Sequence, residues 1–490
     1  MAKYLYGASI QGIQEFIFAT NKLQEIVGAS EIVKSISSNE FSRGKVKEKN
    51  PISFEDNFKA DKILLNAAGN IKVIFENEDS CKEAVENFPK MVMQNAYGIT
   101  ISQAVVKMEE EFKEQKDAIK ELEKRLKAQR NKPSLPLDLS INIMELAPST
   151  ARPIVEYRNI KNVQTPMDRA SQQKREAFPQ TGDYNELADL SNSKNKIAVI
   201  HADGNGLGEI VAKLGNKLSS FSLKLDNATQ KAFQDAKTDT MEIREVILGG
   251  DDLTVICNAN KALEFTRKFL DNFEKETSKI EELKGLREKL TACAGIAYCN
   301  EKYPFHYAVS LAETLCSQTK KHAKEIDKDL APSSLMFHNI QSSNYQSWEK
   351  FVRDELTIIN DVNKEDNPIR LDFGPYYLHE DIKLKKEIQP TIQDLLNTSF
   401  AYRQEGSPIS RLREWMSELH KSSDSAANLL KRINEITERS GRWKCNIMDK
   451  NLGRLQPKLC NQELVIKKDG YLKTPIYDIL QIHSVTEEKQ

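Results

Sequence analysis

The 490-residue chain carries 71 Lys and Arg against 72 Asp and Glu, a net charge of −1. That length supports three or four domains with sizeable cores, and the charge balance excludes a strong overall field drawing nucleic acid. Seven scattered cysteines, none in a Cys-x-x-Cys pair, point to a reducing, cytoplasmic compartment; Met1–Phe18, broken by Lys3, Gln11, Gln14 and Glu15, is neither a signal peptide nor a membrane span.

Tyr4 to Ala8 reads as an apolar strand ending at Ser9, followed by a turn at Gly12 and a helix start at Glu15. Ile63 to Ile74 reads as a hairpin turning at Gly69 and Asn70, followed by a helical stretch (80–95) and an apolar strand (98–106). In residues 107–131, Met108, Phe112, Gln115, Ile119, Leu122 and Leu126 recur at helical spacing on a charged background. This predicts a long amphipathic helix packed on the preceding domain and stopped by Pro133 and Pro136. The polar stretch 147–195, with Pro148, Pro153, Pro166 and Pro179, predicts an irregular connector. Its Arg169, Lys174 and Arg175 are either a solvated loop or a contact for RNA or nucleotide.

Ile197 to Ala202 is again an apolar strand, closing on Asp203 and a turn of Gly204, Asn205, Gly206, Leu207 and Gly208 that leads into a helix. Val246 to Ile256 places two β-rich arms around Gly249, Gly250, Asp251 and Asp252. A helical stretch (260–280), a strand (290–298) and a helix carrying Lys320 follow, the last with Ala308, Leu311, Ala312 and Leu315 on its apolar face. Beyond Lys324, residues 347–363 and 379–440 carry helical spacing, as in Ile409, Leu412, Trp415, Met416 and Leu419, and predict a helical bundle. Arg411, Arg413, Lys431, Arg432, Arg439, Arg442 and Lys444 make it locally basic, diluted by Glu414, Glu418, Glu435 and Glu438; Trp415 and Trp443 are either core residues or platforms for a base. The seven histidines are scattered, and His201 reads as a packed residue.

The two series are one pattern written twice. Gly12 falls on Gly206, Ser9 on Asp203, Gly69 on Asp251 and Asn70 on Asp252. The expected fold is therefore α+β: two ferredoxin-like (βαββαβ) palm domains, the first degenerate, plus a C-terminal helical domain. The boundaries are 1–106 for the degenerate palm, 107–194 for the amphipathic helix and connector, 195–330 for the palm with the acidic hairpin, and 331–490 for the C-terminal domain. A strand-end carboxylate beside a hairpin-tip pair is the arrangement of a metal-dependent nucleotidyltransferase. Asp203, Asp251 and Asp252 would hold two Mg²⁺ or Mn²⁺ ions as metal ligands and catalytic groups. Backbone N–H groups of Gly204, Asn205, Gly206, Leu207, Gly208, Gly249 and Gly250 would approach a nucleoside triphosphate.

These motifs, with the opening Gly7–Phe18 and Asn21–Ile32 stretches and Ala312–Lys320, resemble the large subunit of type III CRISPR effector complexes (Cas ten, also called Cmr two). The resemblance covers roughly residues 1–106 and 195–330. It implies synthesis of cyclic oligoadenylate messengers from ATP in antiviral defence, with Lys320 reaching the triphosphate and the degenerate palm holding a second nucleotide. It also implies guide or target RNA, CRISPR-type subunits and a downstream effector as partners, and no membrane. Two departures stand out. The first palm begins at the N-terminus and the chain contains no His-Asp dipeptide, so the family's nuclease is not expected; none of the cysteines lies in 107–196, so no zinc is expected there. Rival readings are an RNA-binding scaffold, a diguanylate-cyclase-like dinucleotide synthase, whose signature has Glu-Phe where Asp252-Leu253 stands here, and a template-dependent polymerase.

Overall fold

The structure, a computed structural model, describes all residues except 1–2, 37–51, 68, 109–114, 133–140, 142, 180–183, 215–216, 239–240, 342–346, 360–367, 381, 441–444 and 488–490. Two compact units divide the chain: Met1–Glu186 with Val211–Lys224, and Leu187–Ile210 with Leu225–Gln490. Among the described residues no helix is long and apolar enough to cross a membrane.

The first unit opens with β1 (Lys3–Gln11), α1 (Ile13–Phe18), α2 (Leu23–Ile36) and α3 (Phe54–Asn57). Next come β2 (Lys62–Ala67), β3 (Asn70–Phe75), α4 (Glu78–Asn95) and β4 (Thr100–Met108). The sheet order is β2-β3-β1-β4, with β1 antiparallel to both neighbours. Alternation along β1 sends Tyr6 into a cluster with Phe54, Phe75 and Phe88 on one face. Leu5, on the other, packs with Ile74, Val106 and the Ala118, Leu122 and Leu126 stripe of α5 (Gln115–Arg130). That stripe is core, as expected, but the helix is shorter than 107–131: Lys107 and Met108 are the last residues of β4, where β1 pairing holds them extended.

The 147–195 stretch is more ordered than its prolines suggest. β5 (Ile154–Ile160) and β6 (Val163–Asp168) form a hairpin turning at Lys161 and Asn162, both at positive φ (51° and 64°). Asp168 then caps α6 (Arg169–Glu176) by accepting from Ser171 N at 2.9 Å. The basic cluster is spent inside this unit. Lys174 is buried, donates to Phe16 O and lies 4.3 Å over the Phe16 ring; burial lowers its pKa to about 8. Arg175 pairs with Glu25 at 2.8 Å, and Arg169 donates to Gln94 O at 3.1 Å. The cluster is not a solvated loop: it ties α6 to α1, α2 and α4.

The second unit begins with β7 (Lys196–Gly204), and the chain continues through α7 (Leu207–Leu214) and α8 (Leu218–Ala236). There follow β8 (Ile243–Gly249), β9 (Asp252–Asn258), α9 (Ala262–Thr277), β10 (Ala292–Asn300), α10 (Phe305–Ile326) and β11 (Ser334–Asn339). β10 and β7 are largely buried at the centre of a six-stranded sheet, whose order is β14 (Tyr376–Tyr377), β11, β10, β7, β9, β8. The C-terminal region is helical but not only helical. It comprises α11 (Trp348–Asp354), β12 (Thr357–Ile358), β13 (Ile369–Arg370), β14 (Tyr376–Tyr377), β15 (Lys383–Leu384), β16 (Glu387–Ile388) and α12 (Ile392–Ala401). α13 (Ile409–Leu419), α14 (Ser423–Ser440), α15 (Cys445–Leu455), β17 (Ile466–Lys468), β18 (Tyr471–Lys473) and α16 (Ile476–Val485) complete it. β11 and β14 extend the palm sheet, while β12, β13, β18 and β17 form a second one. Residues 379–391, expected to be helical, hold the β15–β16 hairpin, too short for its alternation to register in the sequence. Trp415 is buried in α13 as a core residue; Trp443 lies outside the described residues.

Candidate functional site

β7 and β9 run antiparallel with His201 opposite Thr254 and Ala202 opposite Leu253, so the next step of the register sets Asp203 opposite Asp252. Because side chains alternate, His201, Asp203, Asp252 and Thr254 share one face of the sheet. One ligand atom each from His201, Asp203 and Asp252 lies within 4.8 Å of the others. His201 is hydrogen-bonded to Thr254 (Nδ1 to Oγ1, 3.0 Å), and burial pushes its pKa down to about 4, which leaves a neutral imidazole.

Gly249 pairs with Asp252, which leaves Gly250 and Asp251 as a two-residue loop. Only Gly250 has positive φ (61°), the type II′ pattern that places glycine first. α8 grips this loop by its backbone: Asp226 Oδ1 accepts from Gly250 N at 3.0 Å, and Thr229 Oγ1 donates to Gly250 O at 2.5 Å. Asp251 lies outside the ligand trio, against Gly204; a Cβ built on Gly204 would fall 2.8 Å from the Asp251 Cβ and Oδ2. Glycine at 204 therefore makes room for a carboxylate, beyond its role in the turn. Gly206 (φ 71°) sits under Arg287, which donates to Asn205 O at 3.1 Å, whereas a Cβ on Gly208 or Gly250 would meet nothing within 4 Å. Asn205 is buried and tied to the adjoining loops through Thr291 Oγ1 (3.0 Å) and Ala331 O (3.2 Å).

α10 closes over the face that carries these acids. Gly295 of β10 lies opposite His201, and a Cβ there would come 1.9 Å from Ala312 O, so only glycine lets the helix approach this closely. Lys320 thereby reaches Gly204 O at 2.8 Å and forms an ion pair with Asp203. Burial raises Glu313, two turns earlier on α10, to about 7, and its charge acts on Asp252. Burial, with Asp252 and Asp203 alongside, pushes Asp251 up to about 7. Crowding by protein atoms and the facing Asp203 raise Asp252 to about 6, although part of Asp252 stays open to solvent. So many mutually repelling oxygens against one lysine suit a hard divalent cation, which prefers oxygen donors.

The first unit repeats this frame with different chemistry. Ser9 lies opposite Asn70 and donates to its Oδ1 at 2.9 Å, and Arg130 at the end of α5 donates to Ser9 Oγ at 2.9 Å. Each unit thus sends a cation from the helix after its fourth strand to the same strand position.

Sequence reasoning missed Glu313, Asp226, Thr229 and Arg287 and set His201 aside. Glu313 was reachable in principle, seven residues before Lys320 on the same helix face. Asp226, Thr229 and Arg287 act on distant backbone groups, and nothing in the sequence signals such bonds.

A sheet of this order, antiparallel from β10 through β7 and β9 to β8, with an acidic hairpin at its strand ends defines a palm-type domain. Residues 196–329 match the family Cas10/Cmr2, second palm domain. Residues 196–329 are thus a palm domain of that family. No curated protein sequence matches it. Among solved structures it is similar to a Csm1–Csm4 cassette in complex with pppApA, at 14% identity and a TM-score of 0.51, over 99% of this chain and 69% of that one. A Csm1–Csm4 cassette in complex with AMPPNP aligns at 15% identity and a TM-score of 0.43, over 65% of this chain and 53% of that one. The chain thus spans about half the length of several structures it matches.

Proposed function

We propose that this chain is a divalent-metal-dependent nucleotidyltransferase of the cyclase type, which joins ATP into cyclic oligoadenylate and releases pyrophosphate. The observation that carries this reading is the facing pair Asp203 and Asp252, with Asp251 at the hairpin tip, on a Cas10/Cmr2 second palm. ATP as substrate is extended from the family resemblance and from the pppApA-bound Csm1–Csm4 cassette.

In the reaction, a 3′-hydroxyl oxygen of one nucleotide bonds to the α-phosphorus of another, the α–β phosphoanhydride breaks, the hydroxyl proton leaves to solvent and pyrophosphate departs. Two Mg²⁺ or Mn²⁺ ions held by Asp203, Asp251 and Asp252 would supply charge that acidifies the hydroxyl and neutralises the leaving group. The chain's own residues position the reactants. The open space over Gly208 and the first turn of α7 admit phosphate oxygens to backbone N–H groups. Lys320, tethered to Gly204 O and Asp203, has a flexible arm that swings its ammonium to the outer phosphates. Neutral His201 holds the sheet face through Thr254 and takes no proton in this scheme.

Purified protein incubated with Mg²⁺ or Mn²⁺ and each NTP, with products identified by mass spectrometry, tests the proposal. Cyclic or linear oligonucleotide plus pyrophosphate is expected with ATP, abolished in Asp251→Ala/Asp252→Ala with the fold retained. Synthesis that persists in this variant overturns the site. Absence of product from every NTP, with and without added target RNA and a Csm4-type partner subunit, favours the RNA-binding scaffold. Membership of a type III CRISPR complex, with RNA and a downstream effector of the product as partners, belongs to the same proposal.

A further inference from the structure

A cavity of about 490 Å³ lies in the second unit among α10, the β15–β16 hairpin, β13 and the β17–β18 hairpin. Its size is that of a small-ligand site, roughly 300–1,000 Å³. Its acids are largely spoken for. Asp372 is held by Arg370 through a forked contact, and Asp469 is surrounded by Lys468, Lys473 and His322. Glu387 accepts from Asp469 N at 3.3 Å. Lys321, Lys385 and Lys467, from three different elements, also line the cavity, and none forms an ion pair among the described residues. What faces an occupant is thus three ammonium groups outside any ion pair, beside the carboxylates of Glu325 and Glu387.

Two further features give the cavity a shape for a particular ligand. The Arg370 guanidinium lies 4.8 Å over the ring of Tyr471, which is 46% exposed, so a fixed planar stack stands in the wall. The β15–β16 turn is Lys385-Lys386, both at positive φ (48° and 72°), positions that hairpins normally fill with Asn-Gly because side chains there are strained. The β17–β18 turn beside it uses the favoured Asp469-Gly470 (φ 51° and 85°). Strained lysines in one turn, next to an unstrained turn of the same kind, mark a placement that local folding does not ask for.

We infer that this cavity is a second nucleotide-binding site, in which a base stacks on the Tyr471–Arg370 platform and phosphates sit among Lys321, Lys385 and Lys467. It is separate from the acidic site. α10 borders both, with Lys320 at Gly204 and Gln318, Lys321, His322 and Glu325 at the cavity. The ligand is a phosphate-bearing nucleotide, free or at the end of an RNA strand.

The test is photocrosslinking of the full chain with 8-azido-ATP and peptide mapping by mass spectrometry. It uses the Asp251→Ala/Asp252→Ala background so that turnover plays no part. Crosslinks within 466–473 are expected, lost at least tenfold in Lys321→Glu/Lys467→Glu and in Tyr471→Ala, with circular dichroism and melting unchanged. Tyr471→Phe should keep them. Competition by unlabelled ATP assigns a mononucleotide, and competition only by a 5′-phosphorylated triribonucleotide assigns an RNA end. Crosslinks confined to 196–252 and 318–325, equal labelling in folded charge-reversal variants, or competition by neither ligand overturns the proposal. Because the readout is a map of labelled peptides, it fails or succeeds independently of the synthesis assay.

Discussion

Asp251 and Asp252 hold protons that isolated carboxylates would lose, because burial and the neighbouring carboxylates penalise their ionised forms. The sign of the pH effect follows. A carboxyl whose folded pKa is raised contributes full stability below its unfolded value near 4, and that contribution is lost as pH rises through the folded values of about 6 and 7. On the proposed function, a divalent cation would bind the ionised form and reverse the loss. Metal-free wild type is therefore expected to lose on the order of 1 kcal/mol or more, relative to Asp251→Asn/Asp252→Asn, between about pH 5 and pH 8. Millimolar Mg²⁺ or Mn²⁺ should raise the wild-type melting temperature at the upper pH and have little effect at the lower. Melting curves for both proteins at both pH values check this, and parallel pH profiles with no cation effect would contradict it.

The site owes its geometry to how closely α10 approaches the sheet, and Gly295 sets that distance. At Gly295 any side chain collides with the α10 backbone, so Gly295→Ala must displace the helix and with it Lys320 and Glu313. The expected cost is about 1–3 kcal/mol of stability, the usual range for overpacking, together with loss of synthesis. Gly208→Ala is the counterpart: a Cβ there meets nothing, and alanine favours helix. This variant should melt at or above the wild-type temperature yet synthesise more slowly, since the methyl group fills the space offered to phosphate. An unimpaired rate in Gly208→Ala would remove the 204–208 turn from the phosphate site. The same elements show what a sequence discloses. Asp203 and the Gly249–Asp252 tip were legible because apolar runs flank them and glycines punctuate them. The Lys161-Asn162 and Lys385-Lys386 turns were not, because residues other than the usual Asn-Gly occupy left-handed positions and the strands beside the second are two residues long. The clamp of Asp226 and Thr229 on Gly250 was hidden for another reason: it joins a side chain to a backbone group, and any loop offers backbone.

At the scale of the whole molecule, one frame was used twice and charged once. Ser9 and Asn70 occupy the register of Asp203 and Asp252, and Arg130 stands for Lys320. Restoring acids to the first unit, as Ser9→Asp/Asn70→Asp, should leave it folded, because Arg130 already donates to position 9 and can pair with the new carboxylate. It should not create a second metal centre. The third position is Gly69 at φ 73°, where a Cβ would lie 3.0 Å from Ile10 Cδ1, so no side chain is accommodated without strain. Arginine also remains charged and planar where lysine could swing away. The expected result, in the Asp251→Ala/Asp252→Ala background, is a cooperative melt with no cation-dependent shift and no synthesis. A regained product would show that two facing acids suffice in the first unit without a hairpin-tip carboxylate.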